Sequence, residues 1–477
     1  VSRPFRKASG RPPGHLAGAI RGTLLIAVAC AFVAASARAV EPPGNPGLLI
    51  PTSLQPPTTP AAPLSAPGSA IQARIENSGL EISGERLHAV LLRRFYAARG
   101  YEPVWTSRQT QAAALLNAVF MAGDHGLDPD LFHADLLRNA AALPQLDREL
   151  LLSDAFLGFA DALLRGALPI EERMDDEDLT PEPVDVAAVL DSAINSPDPA
   201  ATVEALAPHS PGYAALQRGL RAYRAAADKN GDARLRQIEV NLERLRWLTR
   251  NLPPDRVWVN LASAQLVLYR GDQPAFTTRV VIGQTDKQTP EFHTTIDSVL
   301  FNPPWNVPRS IATTEILPKL NRDPDYLTRH HMTVRSNGAI QQLAGPYSAL
   351  GRLKFEMNDR FDVYLHDTPE KALFVRDNRR QSHGCVRVQN PRELAALLLQ
   401  QPVEVIDKGI AQGSTNRRML PTPMPVFLVY QTAFADADGT IQFRPDVYDR
   451  DNEIWQHLHP SRQAPVAQHD PPAQPRG

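Results

Sequence analysis

The chain has 477 residues, 43% of them hydrophobic and 21% charged, which is enough for two or three domains and too apolar for a disordered chain. Its net charge is −2, but residues 1–39 hold six Lys/Arg and no Asp/Glu, so the remainder carries −8. An acidic body without a basic run argues against nucleic acid as a partner.

Residues 1–39 read as an export signal. Arg3, Arg6, Lys7, Arg11 and Arg21 form a positive region, Thr23–Ala35 is an uncharged apolar run, and Ala37-Arg38-Ala39 offers a small-x-small cleavage site. The run has 13 residues, short of the roughly 20 that a spanning helix needs. The expectation is therefore cleavage near Ala39 and release into the periplasm or cell envelope. Of the two cysteines, Cys30 leaves with the signal and Cys385 remains alone. A lone cysteine in an oxidising compartment is either an inert core residue or a reactive thiol.

Residues 40–70 are rich in Pro, Ala, Thr and Ser and read as a linker. Residues 71–230 carry helical periodicity, as in Leu87, Val90, Leu91 and Phe95, or Leu115, Leu116, Val119 and Phe120. No catalytic constellation stands out there. His88, His125, His133 and His209 are scattered among helix ends and loops and read as solvated or capping residues. One more amphipathic helix, Asp232–Thr249, opens the next domain, set at 231–455. After Pro253-Pro254 the period changes to two. Leu266–Tyr269 and Phe276–Ile282 flank Gly271-Asp272 as a hairpin. Ile296–Phe301, Phe361–His366, Val403–Ile406 and Val426–Gln431 are further strand candidates, with a short helix at Pro391–Leu399. The long excursion at about 303–354 reads as an inserted lid subdomain, with a short helical stretch near Glu315. The tail, 456–477, reads as disordered. The fold class is α+β: an all-helical N-terminal scaffold domain followed by a mostly β catalytic domain.

The chemistry concentrates in Ser382-His383-Gly384-Cys385-Val386-Arg387-Val388, with Tyr364-Leu365-His366-Asp367-Thr368 upstream. A free thiol has a pKa near 8.5, so a nearby histidine that accepts its proton raises its nucleophilicity at neutral pH. Gly384 permits a tight turn whose backbone N–H groups converge on an oxyanion. A zinc site from His366, His383 and Cys385 has suitable ligand types but lacks paired spacing and a fourth ligand. No metal and no cofactor is therefore expected.

These residues resemble the signature of the L,D-transpeptidases, and the likeness extends over about residues 80–455. Asn241–Trp247, Phe301-Asn302-Pro303, Trp305–Pro308, Tyr364–Pro369 and Asp446-Val447-Tyr448 resemble the large multidomain branch. The resemblance implies that Cys385 attacks the L-centre carbonyl of the third residue of a tetrapeptide stem and expels D-alanine. The acyl group would then pass to the side-chain amine of a second stem, giving a 3→3 cross-link in peptidoglycan. It implies His366 as base, oriented by the backbone carbonyl of Asp367, and His383 in a supporting role beside the nucleophile. The N–H groups of Gly384 and Cys385 would form the oxyanion hole. Ser382 and Arg387 would shape the site, and Tyr364 and Trp305 would line the substrate cleft. Carbapenem-type β-lactams would be covalent inhibitors. An L,D-carboxypeptidase, with water replacing the acceptor amine, stays open beside transfer. One departure stands out: between Tyr223 and Asp232 no room remains for the small peptidoglycan-binding module usual in that branch.

Overall fold

The computed structural model describes residues 64–77, 79–226, 231–436 and 438–460, which belong to one compact unit. The expected export signal, most of the linker and the tail beyond residue 460 lie outside them. The linker boundary is corrected at one end. A helix already begins at Ala66, because the Ser65 hydroxyl accepts the Gly68 N–H at 3.0 Å and Ile71 and Ile75 bury their side chains.

The helical half is organised around Gln145–Arg165, a helix with apolar residues on nearly every side and hence buried almost throughout. Shorter helices pack around it. Two of them, Val186–Ile194 and Pro199–Glu204, start at Asp185 and Asp198, whose carboxylates accept the N–H groups of Ala188 and Ala201. Helix Gly231–Arg246, assigned to the catalytic domain from sequence, packs mainly into this helical core through Ile238, Leu242 and Leu245. It also faces the other half: Asn241 bonds Thr432, and Arg244 pairs with Asp451 at 2.5 Å. The segment Asp451–Leu458, whose last residues fall in the expected disordered tail, is a helix that buries Ile454 and Leu458 in the same core.

The catalytic half is a sheet closed into a ring of eight strands: β1 (Arg256–Asn260), β2 (Gln265–Arg270), β3 (Gln273–Gly283), β4 (Glu291–Phe301), β5 (Leu353–Met357), β6 (Leu365–His366), β7 (Val386–Val388) and β8 (Asn416–Val429). The order is β5-β6-β7-β3-β2-β1-β8-β4, and β4 pairs back onto β5. Alternate residues such as Val257, Val259, Leu266, Leu268, Val280 and Ile282 fill the interior. The β2–β3 turn is the expected hairpin; Gly271 and Asp272 both have positive φ, as a two-residue turn of this twist requires. The helical half adds a two-residue strand, Glu177–Asp178, parallel to the start of β4.

Two strand expectations are corrected. Val403–Ile406 lies in a helix, Val403–Ala411, which starts after Pro402 and buries Ile406 and Gly409. Gly409 lies so close to Phe301 that a Cβ there would meet its ring at 2.8 Å. Of Phe361–His366, only Leu365–His366 pairs as strand. The excursion between β4 and β5 is a subdomain in its own right. A three-stranded sheet (Trp305–Asn306, Ile340–Gln342, Met332–Val334) and four short helical segments enclose a small core of Val307, Ile316 and Ile340.

Candidate active site

Cys385 sits in the turn between a short strand, Arg380–Ser382, and β7, and its side chain is half-buried. Gly384 takes φ +111°, a region that favours glycine. The buried Ser382 hydroxyl spans the turn: it donates to the Cys385 carbonyl at 2.6 Å and accepts the Gly384 N–H at 3.2 Å. That N–H is therefore engaged within the turn. The N–H of Cys385 has no hydrogen-bond partner among the described residues.

Strands β6 and β7 run parallel with Leu365 opposite Val386 and His366 opposite Arg387. Period-two alternation then places Tyr364, His366, Cys385 and Arg387 on one face, while Leu365 and Val386 point into the apolar interior. The register thus groups the expected nucleophile and base with Tyr364 and Arg387. Tyr364 is the neighbour of both the thiol and Trp305 of the inserted subdomain. Lys354 lies over the Tyr364 ring, 4.0 Å from its centre.

His366 is buried, and its Nδ1 donates to the Asp367 carbonyl at 2.5 Å, which fixes the ring; the Leu350 backbone also lies against it. Burial, reinforced by the Arg387 cation, pulls its pKa down to about 3. Burial likewise pushes the Cys385 thiol up, against the opposing hydrogen bonds from Tyr364. At neutral pH the site therefore holds a neutral imidazole and a protonated thiol. The Asp367 carboxylate acts apart from its carbonyl, accepting the N–H groups of Arg352 at 2.8 Å and Thr368 at 2.7 Å and pairing with Lys371.

His383 is placed differently from the other motif residues. It faces outward, and its Nε2 donates to Glu315 of the inserted subdomain at 2.5 Å. Glu315 also takes Lys287 at 3.2 Å. It lies in a five-residue π-helical turn, Ala312–Ile316, a geometry that recurs at functional sites. The subdomain thus reaches the site at two points, Trp305 and Glu315. Arg387 pairs with Glu370, while its buried Nε has no partner among the described residues.

Residues given no role in the site from sequence support the turn from below. The β3–β4 loop carries Thr289, whose hydroxyl donates to the Gly384 carbonyl at 2.7 Å and accepts the Gly283 N–H at 2.9 Å. Tyr448 donates to the Gly283 carbonyl at 2.8 Å. Arg450, fully buried, binds Gln288 of the same loop, Glu291 at 3.0 Å, and Asp176 of the helical half. None of these partnerships leaves a trace in sequence spacing, since the partners are far apart in the chain.

Two family models match the chain: a Scaffold domain over residues 90–220 and an L,D-transpeptidase catalytic domain over residues 254–406. A Haemophilus influenzae protein provisionally named an L,D-transpeptidase is 28% identical over 397 residues, covering 76% of this chain and 78% of its own length. Among solved structures, the ertapenem-acylated catalytic domain of an E. faecium L,D-transpeptidase matches at 14% identity, with 38% of this chain and 99% of that chain covered and a TM-score of 0.21. An Ldtfm–avibactam carbamoyl enzyme matches at 12% identity, 40% and 61% coverage and a TM-score of 0.21. The family models and the sequence relative carry the assignment.

Proposed function

We propose that this chain, which belongs to the L,D-transpeptidase family, is a cysteine acyltransferase acting on peptidoglycan stem peptides, with Cys385 as nucleophile. The observation that carries the reading is the shared face of Cys385, His366 and Tyr364 across β6 and β7, beside a turn whose Cys385 N–H is unused.

In the proposed reaction Cys385 Sγ attacks the L-centre carbonyl of the third residue of a tetrapeptide stem. Because thiol and imidazole both start neutral, the proton passes from Sγ to His366 Nε2 as negative charge develops on the acyl oxygen. The Cys385 N–H receives the oxyanion. D-Alanine leaves with the proton from His366, and a thioester remains on Sγ. The side-chain amine of a second stem then attacks the thioester, returning a proton to the thiol and completing a 3→3 cross-link. Water in the amine's place gives L,D-carboxypeptidase activity. Arg387, a cation on the same face as Cys385 and His366, suits a substrate carboxylate. The expected export signal supports the cell envelope as the place of this work, and N-terminal sequencing of secreted protein checks cleavage near Ala39.

Incubation with tetrapeptide stems, read by mass, tests the function: a cross-linked dimer supports transfer, a tripeptide supports hydrolysis, and no change from either donor overturns the reading. A carbapenem-type β-lactam should add its mass once, at Cys385, and not to Cys385→Ala.

A further inference from the structure

The β3–β4 loop, Gln284–Pro290, lies directly under the nucleophile turn. Gly283 makes this possible, because a Cβ there would stand 2.1 Å from the Lys287 carbonyl oxygen. Thr289 is completely buried at the contact. Its hydroxyl has one proton to give, and it gives it to the Gly384 carbonyl at 2.7 Å; the Gly283 N–H, at 2.9 Å, occupies a lone pair. The hydroxyl therefore has a fixed direction. Tyr448 holds the same loop, donating to the Gly283 carbonyl at 2.8 Å.

The Gly384–Cys385 peptide is planar and trans, so its C=O and N–H point in opposite directions. Anchoring the carbonyl down onto Thr289 turns the Cys385 N–H away from the loop. Ser382 fixes the two neighbouring groups of the turn, the Gly384 N–H and the Cys385 carbonyl, but not this peptide's own carbonyl. We infer that Thr289 is a positioning residue for acyl transfer: by holding the Gly384 carbonyl it aims the Cys385 N–H at the developing oxyanion. The inference rests on the acyl-transfer reading of the site and adds a specific residue to it.

Two reactions at Cys385 separate aiming from mere support. Alkylation by iodoacetamide forms an S–C bond at a saturated carbon, expels iodide, releases the thiol proton to solvent and develops no oxyanion. Acylation by a carbapenem forms an S–acyl bond, breaks the lactam C–N bond and delivers the thiol proton to the ring nitrogen, through an oxyanion. Both are followed by intact mass on the full chain. Thr289→Val removes both hydrogen bonds at nearly constant shape, and should slow acylation roughly 10- to 100-fold relative to alkylation, as misaiming an oxyanion donor does. Thr289→Ser should restore the ratio to within about threefold. Thr289→Ala, with room for a bridging water, should fall between them and serves if the valine variant does not fold. With tetrapeptide stem as substrate, kcat should fall more than KM rises. Equal slowing of both reactions, or slowing of neither, overturns the inference. Wild type that is alkylated but takes no lactam overturns the acyl-transfer reading itself, a result distinguishable from failure in the variants alone.

Discussion

Both halves of the molecule bury histidine, and two of these, His133 and His366, are handled in opposite ways. In the helical half, both ring nitrogens of His133 face carboxylates, Glu85 at Nδ1 and Asp154 at Nε2, the latter at 2.9 Å, so both must carry protons. Burial alone would pull the His133 pKa down, but the two carboxylates together outweigh it and the value is raised. Asp154 is also bound by the N–H and Nδ1 of His88, at 2.7 and 3.0 Å. His366 has a backbone carbonyl at Nδ1 and Arg387 beside it, so burial wins. A histidine that braces a fold can be held as a cation. His366, the proposed proton acceptor, is instead held neutral, with no carboxylate at its ring among the described residues.

The comparison can be broken at several points, beginning where the effect should be greatest. Cys385→Ala should abolish transfer and hydrolysis, since a methyl group cannot attack. Turnover above about one part in a thousand, the scale that the rest of a site can sustain, would show that another group is the nucleophile. His366→Ala comes next, lowering acylation at neutral pH by roughly 10²- to 10⁴-fold and by much less at alkaline pH, where thiolate forms unaided. His383→Ala, whose ring is turned to Glu315, should cost far less; the reverse ranking would move the base to His383. The wild-type acylation profile should also lack an acid limb near pH 6.5, because His366 does not protonate until about pH 3. A limb at 6.5 in the initial rates would mean that the ring is not kept neutral.

Asp154→Asn tests the other half. Removing one partner from a buried ion cluster should lower stability by roughly 3 kcal/mol, read from denaturant unfolding, and leave the acylation rate of the folded protein unchanged. The pH dependence of stability gives a finer contrast. The raised pKa of His133 contributes stability that is complete below its unfolded value of about 6.5 and is lost as pH rises through the folded value. His366 has the opposite sign: from about 6.5 down to about 3 the unfolded chain binds its proton first, so acid destabilises the fold. In a Tm scan, His133→Gln should lessen the alkaline decline and His366→Gln the acid one. The same limb flattened in both variants would erase the distinction. The smallest effect belongs to Glu315→Gln, which weakens the tie between the inserted subdomain and His383; KM should rise roughly three- to tenfold, as expected for loss of an exposed hydrogen bond to a carboxylate of about 1 kcal/mol.

Much of this architecture was legible in the sequence, for reasons that differ by region. The β2–β3 hairpin follows from alternation and the Gly271-Asp272 turn, both local signals. Cys385 and His366 were recognisable because motif and solitude coincide. Val403–Ile406 misled because four residues of Val-Glu-Val-Ile alternate as well as any strand, and only packing against Phe301 decides for helix. His125 and His133 were read as solvated or capping; His133 does stand at the start of helix Ala134–Arg138, yet its side chain, like that of His125, is buried and makes no cap bond. Their partners, Glu204 and Tyr213 for one and Glu85 and Asp154 for the other, are distant in the chain. Thr289 escaped notice for the same reason. Its meaning lies in a carbonyl 95 residues away.

The manner in which the inserted subdomain is hung has a practical consequence. Its chain leaves β4 at Phe301 and re-enters β5 at Leu353, and these two residues are register partners; the ladder even continues one rung further, from the Asn302 N–H to the Arg352 carbonyl at 2.8 Å. The lobe is thus a hairpin whose turn has been swollen into a folded body, with both stalks side by side. Such a body is portable: a short reverse turn could replace it without opening the barrel, and it could be grafted onto another barrel wherever two antiparallel neighbours end together.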